Sequence, residues 1–137
     1  MKIAVVYWSG TGNTETMAEA LASGAKESGA EVVTSTSDDF SSVDGFDAVA
    51  FGCPAMGSES LEDSSFEPMF ESVEDSLSEK KVALFGSYGW GDGEWMREWE
   101  ERVKDKCGVF VGSSICNEAP DDSAKEELVS LGKKLAE

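Results

Sequence analysis

Ser9, Thr11, Asn13 and Thr14 crowd together with Gly10 and Gly12 in the stretch S-G-T-G-N-T. Hydroxyls, an amide and main-chain N–H groups at this density form a set of donors for an anion. The two glycines have no Cβ, so the backbone can come close to a ligand. A helix that begins here adds the positive end of its dipole. A phosphate suits such a loop, yet no lysine or arginine occurs between Lys2 and Lys26. Chemistry on phosphate oxygens calls for Lys, Arg or a metal to stabilise the moving charge. A loop of neutral donors only holds the phosphate, as an anchor for a cofactor. An ordinary strand-to-helix turn capped by Ser or Thr is the plainer alternative. Walker A fails for want of G-K-[ST], and the dinucleotide pattern fails because Glu15 stands where its third glycine belongs.

Two further loops carry chemistry. In S-Y-G-W-G-D-G (87–93), Trp90 is displayed among glycines and not on a helical stripe. In P-A-M-G-S-E-S-L-E-D (54–63), Met56 offers a polarizable sulfur. A flat aromatic ligand could slot between the two. Packing of Met56 on Trp90 at the surface is the alternative. Trp95 and Trp99 lie four apart, as core or interhelical residues do.

These loops need elements to position them. Apolar runs at 3–8, 31–36, 47–53, 81–87 and 109–116 read as five strands, each covered on both faces as in a parallel sheet. Between them run helical stripes. They are Met17, Leu21 and Ala25; Phe66, Phe70, Val73 and Leu77; Trp95, Trp99 and Val103; and Ala124, Leu128, Leu131 and Leu135. Segment 38–45 is expected to hold a short or poorly formed helix. Alternating β and α elements predict one doubly wound α/β domain over residues 1–137, with right-handed crossovers. Ligands of such sheets bind beyond the carboxyl ends of the strands, and all three loops follow strand ends.

Composition narrows the function. With 28 acidic and 11 basic residues the formal charge is −17, which repels nucleic acid and anionic membranes and favours basic protein partners. Cys53, Cys107 and Cys116 form no C-x-x-C pair and read as reduced thiols of a cytoplasmic protein, with Cys53 a core residue. The opening apolar stretch is too short for a signal peptide. The sequence contains no histidine, which removes histidine-based triads and makes most transition-metal sites poor candidates.

The segments Y-W-S-G-T-G-N-T, G-C-P-A-M-G-S-E and F-G-S-Y-G-W-G-D-G-E-W-M resemble the three flavin loops of the short-chain flavodoxins, in order and across nearly the whole chain. The resemblance implies a five-stranded parallel sheet of order 2-1-3-4-5 and one noncovalently bound FMN cycling by single electrons. It places Ser9, Gly10, Thr11, Gly12, Asn13 and Thr14 on the FMN phosphate, with Ser87 closing on it. Pro54 and Ala55 would follow the ribityl chain, while Met56 and Trp90 flank the ring. Gly57 would turn its carbonyl towards flavin N5 on reduction, and Glu59 would accept from N3–H. Gly89 and Gly91 would serve the O2/N1 edge, with Tyr88 in the same loop and Asn117 near the ring. Glu59, Glu62, Asp63 and Glu67 would crowd negative charge onto one side, disfavouring an anionic reduced flavin. The expected function is a low-potential, monomeric one-electron carrier between redox proteins such as reductases or dehydrogenases. An FMN-dependent quinone or NAD(P)H oxidoreductase and a flavin-free receiver domain are the alternatives on this fold.

Overall fold

The computed structural model describes every residue except Ser58. The strands are β1 (Lys2–Tyr7), β2 (Glu31–Thr36), β3 (Ala48–Gly52), β4 (Lys81–Tyr88) and β5 (Val109–Asn117). The helices are α1 (Asn13–Glu27), α2 (Phe66–Val73), α3 (Glu94–Lys104) and α4 (Asp122–Leu135). All strand pairings are parallel, in the order β2-β1-β3-β4-β5. The chain reverses direction of winding at β1, so the loops after β1 and β3 open beside each other.

Strand periodicity divides the core into two layers. Ala4 and Val6 of β1 face α2 and α3, together with Phe51, Phe66, Phe70, Trp95 and Trp99. Ile3 and Val5 face α1 and α4, with Met17, Leu21, Phe85, Leu128 and Leu135. On the first face, Trp99 meets Phe66 and Phe70 edge-on at 5.4 and 5.8 Å. On the second, α1 and α4 touch backbone to backbone. A methyl group on Gly132 would lie 2.1 Å from the Leu21 carbonyl oxygen.

Three expectations need correction. β2 and β5 are not covered on both faces; as the two edges of the sheet they are largely exposed or half-buried. The helix proposed in 38–45 is only a 3₁₀ turn at Ser37–Asp39. The second helical stripe ends early, since α2 stops at Val73 and a 3₁₀ turn at Glu74–Ser76 delivers Leu77 to the core.

Candidate functional site

A cleft of about 520 Å³ opens beyond the carboxyl ends of β1, β3, β4 and β5. Gly10, Thr11 and Asn13 come to it from the first loop; Pro54, Ala55 and Met56 come from the second. Ser87, Tyr88 and Gly89 come from the end of β4. The three loops therefore meet. Among the described residues that line the cleft, Glu118 carries the only formal charge.

The first loop is held by its own polar groups. Trp8 N–H donates to the Gly52 carbonyl at 3.0 Å, and Gly12 N–H donates to Ser9 Oγ at 3.0 Å. Gly12 takes φ +96 at the N-cap of α1, a conformation that L side chains rarely adopt, and no side chain caps the helix. The Ser or Thr cap of the plainer alternative is absent from α1. The first-turn N–H groups have no intrahelical acceptor and remain available to an anion. Thr14 is only 1% exposed, with Oγ1 3.5 Å from Ser87 Oγ, which ties this loop to β4.

The second loop continues β3 alongside β4. Cys53 N–H donates to the Phe85 carbonyl at 3.1 Å and Ala55 N–H to that of Ser87 at 3.0 Å. Pro54 between them needs no acceptor. A turn follows, closed by Glu59 N–H donating to the Met56 carbonyl at 2.8 Å. Gly57 is exposed there, and a methyl group on it would meet nothing within 4 Å. Ser58, whose peptide with Gly57 carries the expected carbonyl switch, lies outside the described residues.

Glu59 joins the second loop to the third. Its Oε1 accepts from Asp92 N–H at 3.3 Å, and Arg97 clamps Asp92 through the carbonyl and carboxylate, each at 3.0 Å. Glu59 does not line the large cleft. It borders a smaller one of about 200 Å³, and its Oε2 is buried with no partner among the described residues. Trp90 and Gly91 also stand off the cleft lining, Trp90 being 62% exposed. Ser9 and Gly12 line an adjoining cleft on the other side of the first loop. Asn117 is exposed, with its amide donating to the Tyr88 carbonyl at 3.3 Å.

The acidic crowd is partly dispersed. Glu62 is 4% exposed and accepts from the N–H groups of Ser64, Ser65 and Phe66 at 2.8–3.0 Å, and from the Ser64 hydroxyl. Burial pushes its carboxyl up, but these hydrogen bonds outweigh burial and hold it below the usual range. Glu67 is paired with Arg102, whose guanidinium is raised chiefly by that bond. Sequence reading saw four acids and missed that two serve α2 and α3. It also missed Trp8, Glu118 and Ala119, which line the cleft. Trp8 follows β1 directly and could have been noticed as an aromatic at a strand end. Glu118 and Ala119 belong to a fourth loop with no motif.

The chain matches the family model described as flavodoxin over residues 5–132. It is 48% identical over 135 residues to a flavodoxin of Clostridium beijerinckii, covering 96% of this chain and 97% of that one. A flavodoxin of Megasphaera elsdenii is 46% identical over 136 residues, covering 98% of each. The chain belongs to the flavodoxin family. The solution structure of two-electron reduced Megasphaera elsdenii flavodoxin superposes with a TM-score of 0.89, at 47% identity and 98% coverage of both chains. Flavodoxins bind FMN and carry electrons. The flavodoxin cleft described here fits that cofactor. Its volume falls within the ~300–1,000 Å³ usual for small-ligand sites. The uncapped start of α1 suits a phosphate, and Trp8, Met56 and Tyr88 supply apolar walls for a ring.

Proposed function

We propose that this flavodoxin is a low-potential one-electron shuttle between redox proteins, with FMN lying along the large cleft. Bound FMN supplies the redox chemistry, and the chain supplies anchoring, orientation and charge. The observation that carries this reading is the convergence of three strand-end loops on one cation-free cleft, with α1 uncapped at its head.

Residues 9–14 and Ser87 hold the phosphate through neutral donors, and Pro54 and Ala55 border the ribityl chain. With FMN bound, Met56 and Trp90 would flank the ring, Gly57 would turn its carbonyl towards N5 on reduction and Glu59 would accept from N3–H. Gly89 and Gly91 serve the O2/N1 edge, and Asn117 stands near the ring. The exposure of Trp90 leaves this end reachable by a partner. Negative charge from Glu59 and Glu118, within a chain of formal charge −17, opposes further negative charge on the ring. That opposition gives the low potential.

Carrier function rather than enzymatic turnover is supported by the lining chemistry. The cleft presents Glu118 and no other charged side chain among the described residues, and burial pushes the nearby Cys53 thiol up to about 12. Basic docking faces on reductases or dehydrogenases suit the acidic surface, with the carrier acting as a cytoplasmic monomer. No helix among the described residues is long and apolar enough to cross a membrane. Reductive titration of the FMN-loaded protein tests the proposal. Two resolved one-electron steps, with no steady NAD(P)H–quinone turnover, are expected. Sustained turnover by the protein alone would overturn the carrier assignment.

A further inference from the structure

Cys53 is tied to several elements at the point where the second loop leaves β3. Its N–H donates to the Phe85 carbonyl of β4 at 3.1 Å, and its carbonyl accepts from Trp95 Nε1–H of α3 at 3.2 Å. β4 keeps space for this: a methyl group on Gly86 would lie 2.2 Å from the Cys53 carbonyl oxygen and 3.1 Å from the Trp95 ring. The sulfur accepts from Glu62 N–H at 3.4 Å, and the thiol donates to the Pro54 carbonyl at 3.6 Å. Burial, against the opposing pull of Glu62 N–H, pushes this thiol up to about 12, so it keeps its proton at neutral pH. A buried thiol of this kind is chemically inert, and its role lies in its contacts.

The contact with Glu62 closes a neck. Residues 54–61 leave the core at Cys53 and return to it at Glu62, whose carboxylate accepts from the N–H groups of Ser64, Ser65 and Phe66 and is thereby fixed to the start of α2. One end of the loop is thus anchored on β4 and α3, the other on α2, and the sulfur ties the two anchors together. Met56, Gly57 and Glu59 lie between them. Inside the neck, Met56 N–H donates to the Ser60 carbonyl at 3.0 Å and Glu59 N–H to that of Met56 at 2.8 Å. We infer that Cys53 is a positioning residue for the flavin: its sulfur, by accepting from Glu62 N–H, fixes the spacing of the loop ends and with it the pose of the loop against ring and ribityl chain. The effect on the flavin rests on the placement of FMN proposed above; the neck bond itself does not. A loop that samples several poses binds more weakly, in proportion to the fraction in the competent pose. The phosphate belongs to the first loop, so loosening the neck weakens FMN and riboflavin by the same factor.

Three substitutions separate the acceptor from the space it fills. Cys53→Ala removes the acceptor and leaves a cavity, Cys53→Val removes it and fills the space, and Cys53→Ser keeps an acceptor. Amide hydrogen exchange of the purified protein, followed by NMR, reads the neck directly. Glu62 N–H should exchange slowly in wild type and Cys53→Ser. In Cys53→Ala and Cys53→Val it should exchange roughly two- to tenfold faster, the change that loss of one hydrogen bond brings. Phe66 N–H, held by the Glu62 carboxylate, should stay protected throughout. A Glu62 rate indifferent to the acceptor overturns the neck bond. Titration of the same apoproteins with FMN and with riboflavin reads the positioning. Cys53→Ala and Cys53→Val should weaken both flavins by the same factor, roughly two- to tenfold, with Cys53→Ser close to wild type. Affinities that ignore the acceptor while Glu62 exchange follows it overturn the positioning role. A loss confined to FMN overturns it too, since that loss belongs to the phosphate loop. A wild-type protein that binds neither flavin, with Glu62 protection still following the acceptor, supports the neck bond and overturns instead the function proposed above.

Discussion

Gly91→Ala offers a severe check on the contact between the two ring-flanking loops. Gly91 takes φ +87, and a methyl group there would lie 1.6 Å from Glu59 Oε1 and 2.6 Å from its Cδ. The carboxylate has to leave, and it takes with it the hydrogen bond from Asp92 N–H. A left-handed backbone costs a residue with a Cβ roughly 1–2 kcal/mol. Losing a hydrogen bond to a charged group costs about 1.5–3 kcal/mol, and a 3.3 Å bond beside solvent sits at or below the low end. Together they come to roughly 2–3 kcal/mol. Urea unfolding at fixed excess FMN reads this whole cost, whether it falls on folding or on binding. Replacing Glu59 by Ala removes the obstruction, so Gly91→Ala in that background should cost only the backbone part, about 1–2 kcal/mol. The reasoning fails if the two substitutions add to within about 0.5 kcal/mol, as independent sites do.

Other substitutions probe the remaining elements. Thr14→Val should weaken FMN binding about tenfold or more, while riboflavin affinity stays nearly constant, because one donor to a charged oxygen is worth ~1.5–3 kcal/mol. Glu62→Gln should destabilise the protein by about 1.5–3 kcal/mol at neutral pH in urea melts. The folded carboxyl of Glu62 lies below its unfolded value, so its contribution is present above the ordinary carboxylate range and fades as pH falls through the lowered folded value. The gap between wild type and Glu62→Gln should accordingly close in acid; a gap independent of pH contradicts the assignment. Gly132→Ala meets the Leu21 carbonyl at 2.1 Å. An overpacking cost of roughly 1–3 kcal/mol should exceed the ~1 kcal/mol gain in helix propensity and lower the melting temperature.

The strands and helices were legible from apolar runs and helical stripes, whereas the strand order came with the resemblance of the three loops to flavodoxins. Within β1 the continuous run KIAVVY did not say that Ile3 and Val5 would face one layer and Ala4 and Val6 the other. Edge position left no trace either. EVVTST and VFVGSSIC read as buried strands, yet nothing within a strand says whether a neighbour lies on both sides. The first loop was legible in its donors, whereas the placing of side-chain-free Gly12 at the N-cap of α1, with its own N–H held by Ser9 Oγ, was not. Side-chain destination was the hardest part. Glu59, Glu62 and Glu67 look alike in sequence, but one bridges two loops, one caps α2 and one pairs with Arg102. Those fates are set by tertiary neighbours more than thirty positions away for Glu59 and Glu67, and by the local fold of 62–66 for Glu62.

The central claim is that a cation-free loop at the head of α1 anchors the phosphate of FMN in the large cleft. Paired titration of the apoprotein with FMN and riboflavin, followed by quenching of flavin fluorescence, isolates that phosphate. Two or more donors to a charged oxygen at ~1.5–3 kcal/mol each predict FMN binding one to one and at least a hundredfold more tightly than riboflavin. Equal affinities for the two ligands, or no binding of FMN at all, would contradict the account.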